Sequence, residues 1–286
     1  MTHRKPSKPS TPFLLFVFLL TVPAVMAQGP GDLTVTPTRV SLEGRTRSAQ
    51  IALINRADRT TTYRVSFTRM RMSEDGGFVE VTEPEPGERF ADPLIRYSPR
   101  QVTLEPGESQ TVRLLLRKPA DLEPGEYRSH LLLHAVPADL GNSIETEAAG
   151  VDEGLAVRLV PIYRVAVPVI VRHGDLSAGA ELSEVAFEPA EDENGPPALS
   201  FQIARRGDRS LYGDVAVSFL SDRGGSPVEV GRLEGLAVYV PNPLRAVTMT
   251  LRPPEGTALE AGRLKVVFSE DRESGAVVAE AELPLS

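Results

Sequence analysis

The chain has 286 residues, no cysteine and a formal net charge of −8 at pH 7. The absence of cysteine excludes thiol catalysis, disulfides and thiolate-ligated metals. The acidic balance argues against nucleic acid or anionic lipid as the main partner, and the length leaves room for two ordinary domains.

Taken from the start, the chain opens with a basic stretch carrying Arg4, Lys5 and Lys8, then the apolar run FLLFVFLL at 13–20. Val25 and Ala27 are small residues three and one positions before Gln28, which is the pattern of an export signal cleaved after Ala27. The apolar stretch, about 15 residues, is short of the ~20 needed to span a bilayer. We read 1–27 as a signal peptide and the remainder as an exported chain, not membrane-spanning after cleavage.

Beyond the leader the sequence is a series of short alternating runs bounded by turn formers. Early ones are LTVTPTRVSL, AQIALIN, TYRVSFTRMRM, TVRLLLRK and SHLLLHAV; later ones are LSFQIARR, DVAVSFL, LAVYV, AVTMTL and RLKVVF. Helical periodicity is scarce, and 25 prolines and 23 glycines punctuate the runs. This pattern predicts an all-β protein of two tandem immunoglobulin-like β-sandwiches. A weak internal repeat supports the duplication. IALINRADRTTTYRVSF resembles FQIARRGDRSLYGDVAVSF, with Arg56, Asp58 and Arg59 matched by Arg206, Asp208 and Arg209, 150 positions on. The expected division is an N-terminal sandwich over 28–172 and a C-terminal one over 173–286. The joint Arg172-His173-Gly174 is short enough to restrict the angle between them.

The most distinctive run is GLAVRLVPIYRVAVPVIVR at 154–172. Every odd position from Leu155 to Val171 is apolar, and the even positions include Arg158, Arg164 and Arg172. Such alternation makes one face of an extended strand apolar and the other partly charged. Two prolines, lacking a ladder donor, favour an edge, a bulge or a break. A long apolar-faced edge strand is an aggregation hazard, so a chain that keeps one has a use for it, such as pairing with another polypeptide.

Other constellations carry less. His130 and His134 share a strand face about 13 Å apart, too far for one metal ion. No nucleophile elbow, phosphate loop or dinucleotide fingerprint occurs. The acidic runs at 83–88 and 191–194 read as solvated loops, and RRGDR at 205–209 as a turn between strands.

Several blocks in order resemble the periplasmic pilus-assembly chaperones, the PapD-like family. They are TPTRVSLEG with Arg39, LEPGESQTVRL at 104–114, GEYRSHLLLHAVP at 125–137 and VPVIVR at 167–172. The resemblance implies two sandwiches in an angled, boomerang arrangement and a periplasmic location. It also implies a non-enzymatic, cofactor-free function: binding and capping incomplete pilus or fimbrial subunits by donor-strand complementation, and delivering them to an outer-membrane usher. It assigns subunit binding to Leu155, Val157, Leu159, Pro161 and Tyr163, carboxylate anchoring to Arg39, and an interdomain pair to Glu126 and Arg172. One departure stands out: the family's second anchoring cation aligns with Pro168, which has neither charge nor backbone donor. The alternative expectation is a structural or adhesive immunoglobulin-like envelope protein. Self-association through the edge strand is a further expected use of that strand.

Overall fold

The computed structural model describes residues 33–136, 164–190, 195–270 and 275–285. The expected signal peptide, the loop entering the long strand, and Leu155, Val157, Leu159, Pro161 and Tyr163 lie outside the described residues. The described chain is all-β, with eighteen strands and one 3-10 turn, Asp92–Leu94. Among the described residues no helix is long and apolar enough to cross a membrane.

The first sandwich contains β1 (Leu33–Thr36), β2 (Val40–Leu42), β3 (Ser48–Asn55) and β4 (Thr61–Thr68). A small hairpin follows, β5 (Met70–Met72) and β6 (Phe78–Glu80). Then come β7 (Ile95–Ser98), β8 (Gln101–Leu104), β9 (Ser109–Leu116), β10 (Gly125–Val136) and β11 (Arg164–His173). One sheet has the order β1-β3-β9-β7 and the other β2-β11-β10-β4-β8. The first segment therefore serves both sheets. It pairs antiparallel with β3 through β1, changes sheet at Pro37 and Thr38, and pairs parallel with β11 through β2. Period-two patterning places Ile51 and Leu53 of β3, Val112 and Leu114 of β9, and Leu131 and Leu133 of β10 in one core.

The second sandwich contains β12 (Ala178–Glu188), β13 (Ala198–Gly207), β14 (Leu211–Ser221), β15 (Val228–Val238), β16 (Leu244–Thr250), β17 (Gly262–Glu270) and β18 (Val277–Leu285). Its sheets run β12-β13-β16 and β15-β14-β17-β18 around a separate core. With β12, β13 and β16 set against β1, β3 and β9, and β14, β17 and β18 against β4, β10 and β11, the strand order is the same in both. The tandem-copy reading of the sequence thus has a topological counterpart.

The repeat also has a chemical counterpart at the turn after the second strand of each copy. Fully buried Asn55 donates from Nδ2 to the carbonyls of Arg59 (2.8 Å) and Leu104 (2.9 Å), and its Oδ1 accepts from the Tyr63 hydroxyl at 3.0 Å. At the matching position, buried Arg205 donates to the carbonyls of Gly207 (2.6 Å), Arg209 (3.3 Å) and Asn242 (3.0 Å). A buried polar residue satisfies turn carbonyls in each copy, because leaving them unpaired would cost about 1–3 kcal/mol apiece.

Several features join the sandwiches. Gly174 follows β11 with φ +83, where a Cβ would lie 2.9 Å from Pro124 Cβ, so the crossing is held close against the first sandwich. The β5–β6 hairpin reaches across: Asn242 Nδ2 donates to the Met72 carbonyl at 2.5 Å, and the Ala246 N–H to the Glu74 carbonyl at 2.8 Å. Met72, Ile170 and Tyr239 bury together as a third, small core between the two large ones.

The acidic run at 83–88 is more than a solvated loop. Glu88 accepts two hydrogen bonds from Arg71, at 2.7 and 2.8 Å, and its side chain is nearly buried. The run's spacing shows its polarity, but the cation that draws Glu88 inward comes from the hairpin.

Candidate functional site

Strand parity builds the site. On β11 the odd residues Val165, Val167, Val169 and Val171 pack into the first core, which turns Pro168, Ile170 and Arg172 the other way. The β10 register sets Glu126 beside Arg172, Arg128 beside Ile170 and His130 beside Pro168. Parallel β2 begins at Val40, opposite Val169, with Arg39 immediately before it. This face of the first sandwich meets Ser210, Tyr212 and Tyr239 of the second.

Glu126 and Arg172 are at its centre. Arg172 Nε donates to Glu126 Oε2 at 2.9 Å. Ser210 donates to the same carboxylate through its backbone N–H, at 3.1 Å, and through its hydroxyl. The Glu126 side chain is 1% exposed. Burial pulls the Arg172 pKa down, but the charge and hydrogen bond of Glu126, with help from Glu43, leave it above its ordinary value. The carboxylate thus ties β10 of the first sandwich to Ser210, the residue just before β14 of the second.

Arg39 has a different environment. Its guanidinium carbon lies 4.1 Å from the centroid of the Tyr212 ring and 5.7 Å from that of Tyr239. Such cation–π placement contributes about 0.5–2 kcal/mol without using up the N–H groups. Nη1 of Arg39 is buried without a hydrogen-bond partner. Burial, countered in part by Tyr239, lowers its pKa. Arg39 lines a cleft of about 370 Å³ together with Ser41, Glu43, Arg172, Tyr212 and Glu270. Arg128 sits 4.1 Å from the Tyr239 centroid, donates to the Met70 carbonyl at 3.3 Å, and also has a buried, unpartnered Nη1. Among the described residues no cluster of His, Asp and Glu is arranged to hold a metal ion.

Pro168 occupies an informative place on β11. The β10 side of the strand is paired from Arg164 to His173, whereas among the described residues the other side is paired only at Val169–Val171, by β2. Among the described residues, 164–168 therefore present an unpaired edge that stops where β2 begins, beside Arg39. Proline is tolerated at such an edge because no native ladder bond is lost.

No family model and no curated protein matches the chain. Among solved structures it is similar to the class 5 fimbriae chaperone CfaA, the Pseudomonas aeruginosa CupB2 chaperone and the E. coli chaperone DraB. CfaA is 12% identical with a TM-score of 0.42, over 89% of this chain and 99% of that one. CupB2 is 13% identical with a TM-score of 0.40, over 88% and 100%. DraB is 13% identical with a TM-score of 0.41, over 90% and 97%. The chain resembles fimbrial chaperones. These likenesses, at 12–13% identity, are likenesses of fold.

Of the residues singled out from sequence, the structure brings Arg39, Glu126 and Arg172 to one interdomain face. Tyr212, Tyr239, Ser210, Arg128 and Glu43 had no sequence signal of their own. Tyr212 and Ser210 could have been sought beside the repeated turn at 205–209; nothing local points to Tyr239.

His130 shows the electrostatic character of this face. It is 3% exposed and meets Phe78 edge-on, ring centroids 5.3 Å apart. Burial, with the Arg128 charge adding to it, lowers its pKa to about 3. Above pH 6.5 the imidazole is neutral folded or unfolded, and its full contribution to stability is present. As pH falls from 6.5 toward 3, the unfolded chain takes up a proton that the folded one refuses, and stability drops by up to about 1.4 kcal/mol per pH unit. The stability of His130→Phe, measured by denaturant titration, is expected to fall less steeply than wild type between pH 6 and 4; parallel slopes would mean that His130 already titrates freely when folded.

Proposed function

We propose that this protein is a periplasmic chaperone, exported through cleavage of residues 1–27, that captures incomplete pilus or fimbrial subunits by donor-strand complementation. Its two proposed domains are 28–172 and 173–286, and delivery is to an outer-membrane usher. No reaction is catalysed. The observation that carries the reading is the β11 edge at 164–168, unpaired among the described residues, which ends at the buried, unpartnered Nη1 of Arg39.

The argument is one of polarity. A strand added to this edge in line with β2 runs parallel to β11, as β2 does. Its C-terminal end then arrives where β2 starts, at Arg39. A terminal carboxylate meets a guanidinium there, which is a charge-assisted contact. A strand of the opposite direction would bring its ammonium terminus to the same cation. Residues 154–163, which continue the apolar alternation of 165–171, are assigned as the donor, with Leu155, Val157, Leu159, Pro161 and Tyr163 toward the client's groove.

The test is isolation of the tagged protein from its host's periplasm. A stoichiometric, smaller, β-rich exported protein that is lost on Val157→Asp supports the reading. A self-polymer, or a monomer with no such partner, rejects it in favour of a structural envelope protein. Within a recovered complex, Arg39→Ala is expected to weaken client binding roughly 10- to 100-fold, the size of a lost hydrogen bond to a charged group. The effect should vanish for a client ending in a carboxamide. Equal weakening of wild type and Arg39→Ala by the carboxamide would reject Arg39 as the anchor.

A further inference from the structure

The cleft beside Arg39 contains a second cation, Arg172, whose Nη1 is already engaged: it donates to Glu43 Oε2 at 2.9 Å. Among the carboxylates that hold cations in and around this joint, Glu126, Glu270 and Glu43 differ in exposure. Glu126, on Arg172 Nε, is 1% exposed. Glu270, on Arg209, is 13% exposed. Glu43 is 52% exposed and lies just beyond the end of β2. An ion pair exposed to this degree contributes little. Arg172 itself is 10% exposed and remains held by Glu126 through Nε, so releasing Glu43 would not release the guanidinium.

Resting on the donor-strand reading above, we propose that Glu43 is a built-in stand-in for the client's terminal carboxylate. In the free protein it occupies Arg172 Nη1; on capture it swings to solvent, and the client's carboxylate takes its place, bridging Arg172 and Arg39. This supplies the second anchoring cation from Arg172 rather than from position 168, where proline has nothing to offer.

The probe is a short acetylated peptide of alternating valine and threonine, made with a free C-terminal carboxylate and as the C-terminal amide, and titrated into the purified protein. Wild type is expected to prefer the free acid, and Arg39→Ala to prefer it at least tenfold less; this pair of results tests the anchor reading alone. Glu43→Gln is expected to bind the free acid about fivefold more tightly than wild type, since a competing exposed ion pair has gone, with amide binding unchanged. Unchanged or weaker free-acid binding by Glu43→Gln, while wild type still prefers the acid, would overturn the stand-in and leave the anchor intact. Loss of acid preference in every variant would overturn both. A second readout guards against a folding defect in the variant. In wild type, the Glu43 side-chain carboxyl ¹³C signal should shift when the free-acid peptide is bound and stay in place with the amide; a signal that does not move with the acid rejects the exchange.

Discussion

Glu126→Ala is expected to destabilise the protein by about 3–5 kcal/mol, the cost of leaving one partner of a buried ion pair without the other. The substitution strands Arg172 Nε and two donors of Ser210 in a site where the lost side chain was 1% exposed. Water entering the gap would recover part of the loss for Ser210, whose hydroxyl also accepts from the Val240 N–H at 2.9 Å. The effect should be read from denaturant midpoints, with Glu126→Gln as the companion variant. The amide keeps a hydrogen-bond acceptor but removes the charge, so its cost should be intermediate. A loss below about 1 kcal/mol for the alanine variant would place the pair among solvated surface bridges.

The second large effect concerns client capture. Replacing Val157 and Leu159 together by aspartate is expected to abolish subunit binding while leaving the unfolding midpoint unchanged. Each apolar side chain buried in a client groove stabilises by about 1.5–3 kcal/mol, and a carboxylate forced into the same groove adds a desolvation cost. Two such positions together exceed a thousandfold in affinity. Binding by competition against wild type, measured beside a thermal melt of the variant alone, separates a binding defect from a folding one. Undiminished binding by the folded variant would reject the donor assignment. Charge at Val167 and Val169, by contrast, should unfold the protein, because those side chains are 1% and 0% exposed in the first core.

That contrast within one run of sequence shows how much was legible before any coordinates. Within the run at 154–172 the alternation gives β11 and its apolar face over the described residues from Arg164, because side-chain direction in an extended chain depends only on parity. It does not say where the apolar row stops serving its own core. The first core takes Val165, Val167, Val169 and Val171, while among the described residues β2 covers the β11 edge only at Val169–Val171. The sandwich class was similarly legible, from turn residues and short alternating runs, and the repeated turn at 55–59 and 205–209 from a matched spacing.

The cation at the end of the edge was visible only as an arginine in a family-like block. Whether that arginine is solvated, paired or waiting depends on Tyr212 and Tyr239, about 170 and 200 positions away in the chain. The same holds for Glu126 and Arg172, whose burial requires Ser210 from the second sandwich. Sequence by itself therefore determined the all-β class, the strand faces and the turns, since these follow from local sterics and hydrophobic period. Only the tertiary structure decided which edge is open and which guanidinium lacks a partner. Desolvation and pairing are properties of segments far apart in the chain, and they are set by the register in which those segments meet.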